Sequence, residues 1–240
     1  MLRLQSIGCQ TNYQWIIFIK MVTINEIINN DDIEQLLPEK RVAIVNISWQ
    51  AYEQILNALG ENRAARVHYY QGVLEIMTPL EAHESSSENI GILVHILTEE
   101  LNLNIKSLAS TTLKIAEKKI GTEPDKCYYI KNEPIVRGKT VNLNQDPPPD
   151  LVLEVDITHT DINKKQLYQD IKVPEFWCYN GKSLTIYILN QEEYQESEKS
   201  LSFPILTKAI IYEFISNCRS NGETQAKREF RNKIQELLQK

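Results

Sequence analysis

Carboxylates set within apolar, strand-forming runs are the residues of this chain best suited to chemistry. Asp125 precedes one such run, and Glu154 and Asp156 lie within another, the almost continuously apolar segment 150–157. Lys164 follows in a segment with helical spacing. Carboxylate oxygens hold Mg²⁺, the ion lowers the pKa of an attacking water, and an ammonium group positions that water or stabilises developing charge. These residue types therefore favour a Mg²⁺-dependent phosphodiester hydrolase.

Strand geometry limits which of these carboxylates can share one metal ion. Asp150 and Glu154 share a face of one predicted strand but lie roughly 13 Å apart, so they cannot both hold the ion. If the two strands pair antiparallel through the long connection between them, Asp125 faces Glu154 or Asp156. An unpaired carboxylate in an apolar run is costly, and a cation or a lysine is the natural compensation. We therefore expect Asp125 and Glu154, rather than Asp150, to hold the metal.

Helical periodicity predicts which lysine points toward the carboxylates. Apolar or aromatic residues follow Lys164 at i+3, i+4 and i+7, so Lys164 lies on the inward stripe of its helix. Lys165 lies off that stripe and follows Asp161 by four residues, which favours a surface ion pair. The spacing leaves two interpretations open: a catalytic site, or a buried ion-pair network that only specifies the fold.

The elements that must position these residues follow from the hydrophobic pattern. A helix begins after the N-cap Ser48 and stops at Gly60, and Gln71-Gly72 joins two strands as a hairpin. Strands are predicted at 41–45, 66–70, 73–77, 112–117, 126–131, 150–157, 175–179 and 183–189, helices at 83–101, 161–171, 207–216 and 224–238, and a polar loop at 190–201. The order predicts an α/β fold with a central mixed sheet flanked by helices. The apolar segment 150–157 should be a strand buried on both faces.

Composition indicates a folded globular protein. The 240 residues are 42% hydrophobic and 24% charged, which suits one domain of ordinary size. An orderly helical pattern starts at Met21, so we interpret residues 1–20 as a non-native or disordered extension. We expect a single domain over residues 21–240, with C-terminal helices within 207–238.

Charge and cysteine content limit the partners and the compartment. The net charge of −6 gives no global attraction to nucleic acid, so binding would depend on a local basic patch. The apolar run 15–19 has five residues, whereas a membrane-spanning helix needs about 20, so we expect no membrane partner. The four cysteines form no CxxC pair, which favours a reducing cytoplasm.

Several motifs together resemble those of a known family. They are EPD at 123–125 before an aromatic strand, PPDLVLEVDIT at 148–158, Asn163-Lys164 followed by Tyr168, and VPEFW at 173–177. Over about residues 40–238 the chain resembles the Uma-type restriction-endonuclease-like family of the PD-(D/E)xK nuclease superfamily. The resemblance implies a restriction-endonuclease-like core and an endonuclease that hydrolyses phosphodiester bonds of DNA, with Mg²⁺, or Mn²⁺ in its place. It also implies a homodimer as one assembly, because restriction-type nucleases commonly dimerise to cut two strands.

The resemblance extends to individual site residues. Asp125 matches the first aspartate of the superfamily and Glu154 matches the acid of the next strand, both as metal ligands. Asp156 stands where many relatives carry the lysine, and the family pattern moves the ammonium group to Lys164 on the following helix. Glu84, from a His-Glu pair at a helix start, matches a further catalytic acid, although a first-turn glutamate also favours the helix dipole.

Two alternatives to a DNA endonuclease remain open from the sequence. The first is a catalytically inactive nuclease-fold module that binds nucleic acid or protein, which the negative net charge and the lack of a recognisable DNA-reading motif favour. The second is a metal-dependent hydrolase for another phosphorylated substrate. Binding without hydrolysis would support the first alternative, and a comparison of DNA, RNA and nucleotides would test the second.

Overall fold

The computed structural model describes residues 40–60, 63–158 and 160–239. The extension predicted at residues 1–20 lies outside the described residues. The single domain over 21–240 stays a prediction.

The described chain contains both helices and strands. The helices are α1 Trp49–Leu59, α2 Glu81–Glu100, α3 Glu133–Val136, α4 Lys164–Ile171, α5 Lys208–Asn221 and α6 Glu223–Leu238. The strands are β1 Lys40–Ile44, β2 Arg66–Tyr70, β3 Val73–Thr78, β4 Lys106–Leu108, β5 Leu113–Ile115, β6 Ile120–Thr122, β7 Lys126–Tyr129, β8 Leu151–Val155, β9 Glu175–Tyr179, β10 Leu184–Asn190 and β11 Glu193–Ser197. No helix in the described part of the chain is long and apolar enough to span a membrane.

The strands form two sheets. The first has the order β1-β3-β2-β6-β5 and its pairings are antiparallel. The second has the order β11-β10-β9-β8-β7-β4, and it is mixed because β8 and β9 run parallel. A parallel pair needs a crossover, which α4 supplies between these two strands. The prediction of an α/β fold with a mixed sheet flanked by helices is confirmed, and the separate antiparallel sheet is an addition to it.

Local sequence signals determine where several elements begin and end. The Ser48 side chain accepts a hydrogen bond from the Ala51 backbone N–H and caps α1, which stops at Gly60 with a φ of 71°. Gln71 and Gly72 have φ of 49° and 81°, the left-handed values that a tight hairpin between β2 and β3 requires. The Asn163 side chain caps α4 by accepting from the backbone N–H of Gln166. Each signal is short-range, and those at Ser48, Gly60 and Gln71-Gly72 were predicted from the sequence.

Strand β8 is buried on both faces, as its apolar run predicted. One face joins an apolar core formed with α2, α5 and α6, in which Leu153 and Val155 pack with Trp177 of β9. The other face carries Val152 and packs with residues of α4 and of the first sheet. The two environments of this one strand decide where the candidate site lies.

Three predictions about elements need correction. Residues 190–201 were expected to form a loop, but Glu193–Ser197 pairs antiparallel with β10 as an edge strand. Its polar residues face solvent while Tyr194 is buried, a pattern that an edge strand tolerates. The helix predicted at 161–171 begins at Lys164, because the Asn163 side chain caps it, and the Asp161 backbone N–H before the cap donates to Glu75. The short strands β4 and β6 were not predicted.

Candidate functional site

Asp125 and Glu154 lie opposite each other on neighbouring strands. Lys126 of β7 pairs with Leu153 of β8. Because the two strands run antiparallel, the residue before Lys126 lies opposite the residue after Leu153. Asp125 is therefore opposite Glu154, and both side chains lie on one face. Asp125 is 1% exposed and Glu154 is fully buried. Oδ2 of Asp125 accepts a hydrogen bond from the backbone N–H of Val155 at 2.6 Å, which ties this carboxylate to β8. The predicted antiparallel pairing of the two strands is confirmed.

From the first turn of α4, Lys164 reaches Glu154 of β8 and Asp156, which follows that strand directly. Its Nζ donates to Glu154 Oε2 at 2.7 Å and to Asp156 Oδ1 at 3.0 Å, and the side chain is 3% exposed. Tyr168 lies one turn further on the same helix face and donates its hydroxyl to Glu154 Oε1. Lys164 therefore points inward, as the helical spacing predicted, and Glu154 is held by two donors from one helix.

Glu84 lies at the edge of this cluster. Its side chain is 53% exposed and accepts a hydrogen bond at 2.8 Å from Arg66 Nη2. The other end of the same guanidinium group forms an ion pair with Asp125. His83, beside Glu84 on α2, is buried with Nε2 3.2 Å from Asp125 Oδ2. Glu84 thus joins the predicted site through Arg66.

Two arginines and a glutamate of the first sheet complete the cluster, and the sequence analysis missed them. Arg66 holds Asp125, while Arg41 donates from Nη1 to Glu75 at 2.6 Å and from Nη2 to Asp156 at 3.4 Å. Glu75 is fully buried and also accepts from the Thr160 hydroxyl and the Asp161 backbone. The available sequence signal for such residues was a charged side chain in an otherwise apolar strand, such as Arg66 in RVHYY and Glu75 in VLEIMT.

A chain of hydrogen bonds links the two sheets behind Glu154. The Tyr168 hydroxyl lies 3.2 Å from Thr122 Oγ1, which in turn lies 2.8 Å from His68 Nδ1. His68 and Thr122 are fully buried in the first sheet. Because Tyr168 also donates to Glu154, the orientation of this carboxylate depends on residues from both sheets.

The imidazoles and the lysine of the cluster titrate far from their usual ranges. Burial and the nearby Arg66 lower the pKa of His83 to about 3. Burial and the nearby Lys164 hold the pKa of His68 well below its ordinary value, so both rings are neutral at neutral pH. Burial would lower the pKa of Lys164, but Asp156 and Glu154 outweigh it and raise that pKa above its ordinary value. Lys164 is therefore an ammonium group.

The pKa values of Glu154 and of Asp156, which follows β8 directly, are shifted in opposite directions. Complete burial raises the pKa of Glu154, and the charge of Lys164 offsets only part of that rise. Burial would also raise the pKa of Asp156, but Lys164 and Arg41 hold it below its ordinary value. A cation placed against Glu154 would therefore stabilise its ionised form.

The residues present fit a hard divalent cation. Within 40–60, 63–158 and 160–239, no group of three or more His, Cys, Asp or Glu side chains is arranged to hold a metal ion. Mg²⁺ is usually bound by one or two carboxylates and completes its shell with water and substrate phosphates, a set that Asp125 and Glu154 can supply. The formal charge of the cluster also fits a cation. The ion pairs join five acids with three cations, which leaves a formal charge of −2. The acids are Asp125, Glu154, Asp156, Glu75 and Glu84, and the cations are Arg41, Arg66 and Lys164.

Two clefts border the cluster. One, of about 440 Å³, is lined by Asp156, Lys164, Lys165 and Tyr187 among others. The second, of about 370 Å³, is lined by Arg63, Ala64, Ala65, Arg66, Ser110, Thr111, Thr112 and Glu123. Residues that contact Asp125 and Glu154 therefore face open space on which a substrate could lie.

The chain matches a known family of proteins. The family model "Uma2: Putative restriction endonuclease" matches residues 49–213, well over half of the chain and including Glu84, Asp125, Glu154 and Lys164. Among solved structures, the crystal structure of "a putative nuclease belonging to DUF820 from Anabaena variabilis ATCC 29413" is 16% identical. That comparison covers 68% of this chain and 96% of the other, with a TM-score of 0.44. No curated protein matches the chain.

Proposed function

The chain belongs to the Uma2 family, and we propose that it is a Mg²⁺-dependent endonuclease that hydrolyses phosphodiester bonds of DNA. The observation that carries the proposal is the convergence of Asp125, Glu154 and Lys164 in one buried cluster. These residues come from two strands and a helix, and Nζ of Lys164 lies 2.7 Å from Glu154. Family membership also confirms the resemblance that the motifs predicted.

In this proposal Asp125 and Glu154 hold the metal, with Mn²⁺ able to replace Mg²⁺. The ion, when bound, supplies Lewis-acid polarisation of the scissile phosphate and lowers the pKa of the attacking water. The pairing of β7 with β8 brings the carboxylates of Asp125 and Glu154 to one face. The hydrogen bond from the Val155 backbone fixes the orientation of Asp125. Lys164 and Tyr168 fix Glu154 in the same way.

Lys164 contributes a positive charge that is fixed in place. Its ammonium group has three donors, of which two point at Glu154 and Asp156. The third can hold the attacking water or a phosphate oxygen, and the charge stabilises the negative charge that develops in the transition state. Because the raised pKa keeps Lys164 protonated, it acts as a donor rather than as a general base.

Recognition of DNA would be local rather than global. The net charge of −6 repels a phosphate backbone at long range, so the cations of the cluster and its clefts must supply the attraction. We propose a homodimer as the assembly that cuts both strands. Cys127, Cys178 and Cys218 carry free thiols, which supports action in a reducing cytoplasm.

The test is cleavage of supercoiled DNA with Mg²⁺ by the wild type and by isosteric variants. Asp125→Asn and Glu154→Gln should each lower the initial rate by at least about 100-fold, the scale for losing one group that stabilises the transition state. Glu88→Gln, which changes an exposed glutamate of α2 that pairs with Lys126, is the matched control and should retain the wild-type rate. Circular dichroism checks that each variant is folded.

The outcomes separate the alternatives. Cleavage at the wild-type rate by both Asp125→Asn and Glu154→Gln would overturn the site assignment. Binding of DNA by the wild type without hydrolysis would instead favour an inactive nuclease-fold module. Hydrolysis of RNA or nucleotides in preference to DNA would change the substrate class but leave the metal site in place.

A further inference from the structure

Asp125 is held by an arginine through one of its two carboxylate oxygens. Its Oδ2 accepts from the Val155 backbone and lies near His83, whereas its Oδ1 forms the ion pair with Nη1 of Arg66. A guanidinium group and a divalent cation repel each other, so they compete for this oxygen. Metal binding at Asp125 therefore requires that Arg66 move.

Arg66 has a second acidic partner that does not belong to the buried pair. Its Nη2 donates at 2.8 Å to Glu84, whose side chain is 53% exposed. The Arg66 side chain itself is 7% exposed and begins β2, so its backbone is fixed by the sheet. Glu84 thus gives the guanidinium group a partner near the surface that is independent of Asp125.

The direction in which Arg66 can move is toward a cleft. It lines the cleft of about 370 Å³ together with Arg63 and the hydroxyl residues Ser110, Thr111 and Thr112. Arg63 forms an ion pair with Glu123, which a metal ion at Asp125 would leave in place. Arg66 is the cation of this cleft that would lose its buried partner when a metal binds. A guanidinium group matches the two oxygens of a phosphodiester through paired hydrogen bonds.

We propose that Arg66 is the counter-ion of Asp125 in the metal-free protein and becomes a phosphate-binding residue when a divalent cation takes its place. The inference rests on the proposed function and adds a substrate-positioning residue to it. Glu84 acts through Arg66 by holding the guanidinium group at the cleft. Arg66 therefore weakens metal binding in the absence of DNA and strengthens DNA binding in the presence of metal.

The two opposite effects give a test that does not depend on activity. Calorimetric titration with Mn²⁺ without DNA should show that Arg66→Gln binds the ion about tenfold more tightly than the wild type, within the usual range of coupling between two ligands. Fluorescence anisotropy with a duplex oligonucleotide and Ca²⁺ should show DNA binding about tenfold weaker in the same variant. Arg63→Gln is the control for the metal titration, because Arg63 pairs with Glu123 rather than Asp125, and should keep the wild-type affinity.

A second variant guards against a folding defect in Arg66→Gln. Arg66→Lys keeps a cation for Asp125 but lacks the paired donors, so Mn²⁺ affinity should stay within about threefold of wild type while DNA binding weakens. If the wild type binds Mn²⁺ and Arg66→Gln binds it with equal or weaker affinity, the inference is overturned and the proposed function stands. Mn²⁺ binding by neither protein would overturn both, and binding by Arg66→Gln alone would support the role of Arg66 in an otherwise inactive protein.

Discussion

The two faces of β8 are equally buried, but only one of them carries a charged residue. On one face Leu151, Leu153 and Val155 pack into the apolar core with the helices α2, α5 and α6. On the other face Glu154 lies among cations and hydroxyl groups, with Lys164 and Tyr168 donating to it. All five residues of the strand are buried, so burial alone does not distinguish the core from the site.

The difference separates the face that stabilises the fold directly from the face on which the proposed site lies. Burying apolar surface contributes about 25 cal/mol per Å², so the apolar face stabilises the fold directly. Burying charges costs desolvation free energy that partners offset only in part, and replacing a buried ion pair with apolar residues is often neutral or stabilising. This cost agrees with the proposal that the face carrying Glu154 belongs to a functional site.

Removing the lysine of the charged face should have the largest effect. Lys164→Met leaves Glu154 and Asp156 without their shared cation, and losing one partner of a buried pair costs about 3–5 kcal/mol. The matched change Lys165→Met removes an exposed ammonium group that lies 4.8 Å from the centre of the Tyr187 ring, which should cost about 1 kcal/mol or less. Urea denaturation measures both free energies of unfolding, and equal losses would contradict the distinction between the faces.

Removing one hydroxyl group from each face should give a smaller but cleaner contrast. Tyr168→Phe deletes a hydrogen bond to Glu154, and such a bond to a charged group is worth about 1.5–3 kcal/mol. The Tyr128 hydroxyl is buried near the apolar core without a hydrogen-bond partner in the part of the chain that the structure describes. Tyr128→Phe should therefore be neutral or stabilising. Thermal unfolding compares the two variants, and a larger loss in Tyr128→Phe would reverse the expected order.

The smallest effect concerns the response of stability to pH. His68 is held neutral in the fold because burial and Lys164 lower its pKa, whereas in the unfolded chain it gains a proton below about pH 6.5. The unfolded state then binds more protons, so the free energy of unfolding of metal-free protein falls as pH drops below 6.5. For one histidine the slope is at most about 1.4 kcal/mol per pH unit, and His83 adds to it.

The histidine contribution can be isolated between pH 6.5 and 4.5, above the range where most carboxylates titrate. His68→Gln should make the stability profile flatter in this window, because one group that gains a proton on unfolding is removed. His95→Gln changes an exposed ring of α2 and is the control, with an unchanged slope expected. Urea denaturation at several pH values gives the slopes, and identical profiles for both variants would show that His68 does not titrate on unfolding.

Much of the fold could be predicted because its signals are local. The N-cap Ser48, the Gln71-Gly72 turn and the helices within 207–238 each depend on residues a few positions apart. The edge strand β11 was missed, because its polar sequence becomes a strand only through pairing with β10. The division into two sheets was missed for the same reason, since strand pairing joins distant segments.

The sequence by itself determined that Lys164 faces inward and, for antiparallel strands, that Asp125 opposes Glu154 or Asp156. Helical and strand periodicity specify the face on which a side chain lies, and antiparallel pairing relates two neighbouring strands. Only the tertiary structure decided what faces these residues. Arg66 comes from another sheet, and Arg41 reaches Asp156 across 115 positions. Periodicity carries no information about which distant element covers a face, so the counter-ions of the site emerge only when the two sheets and α4 pack together.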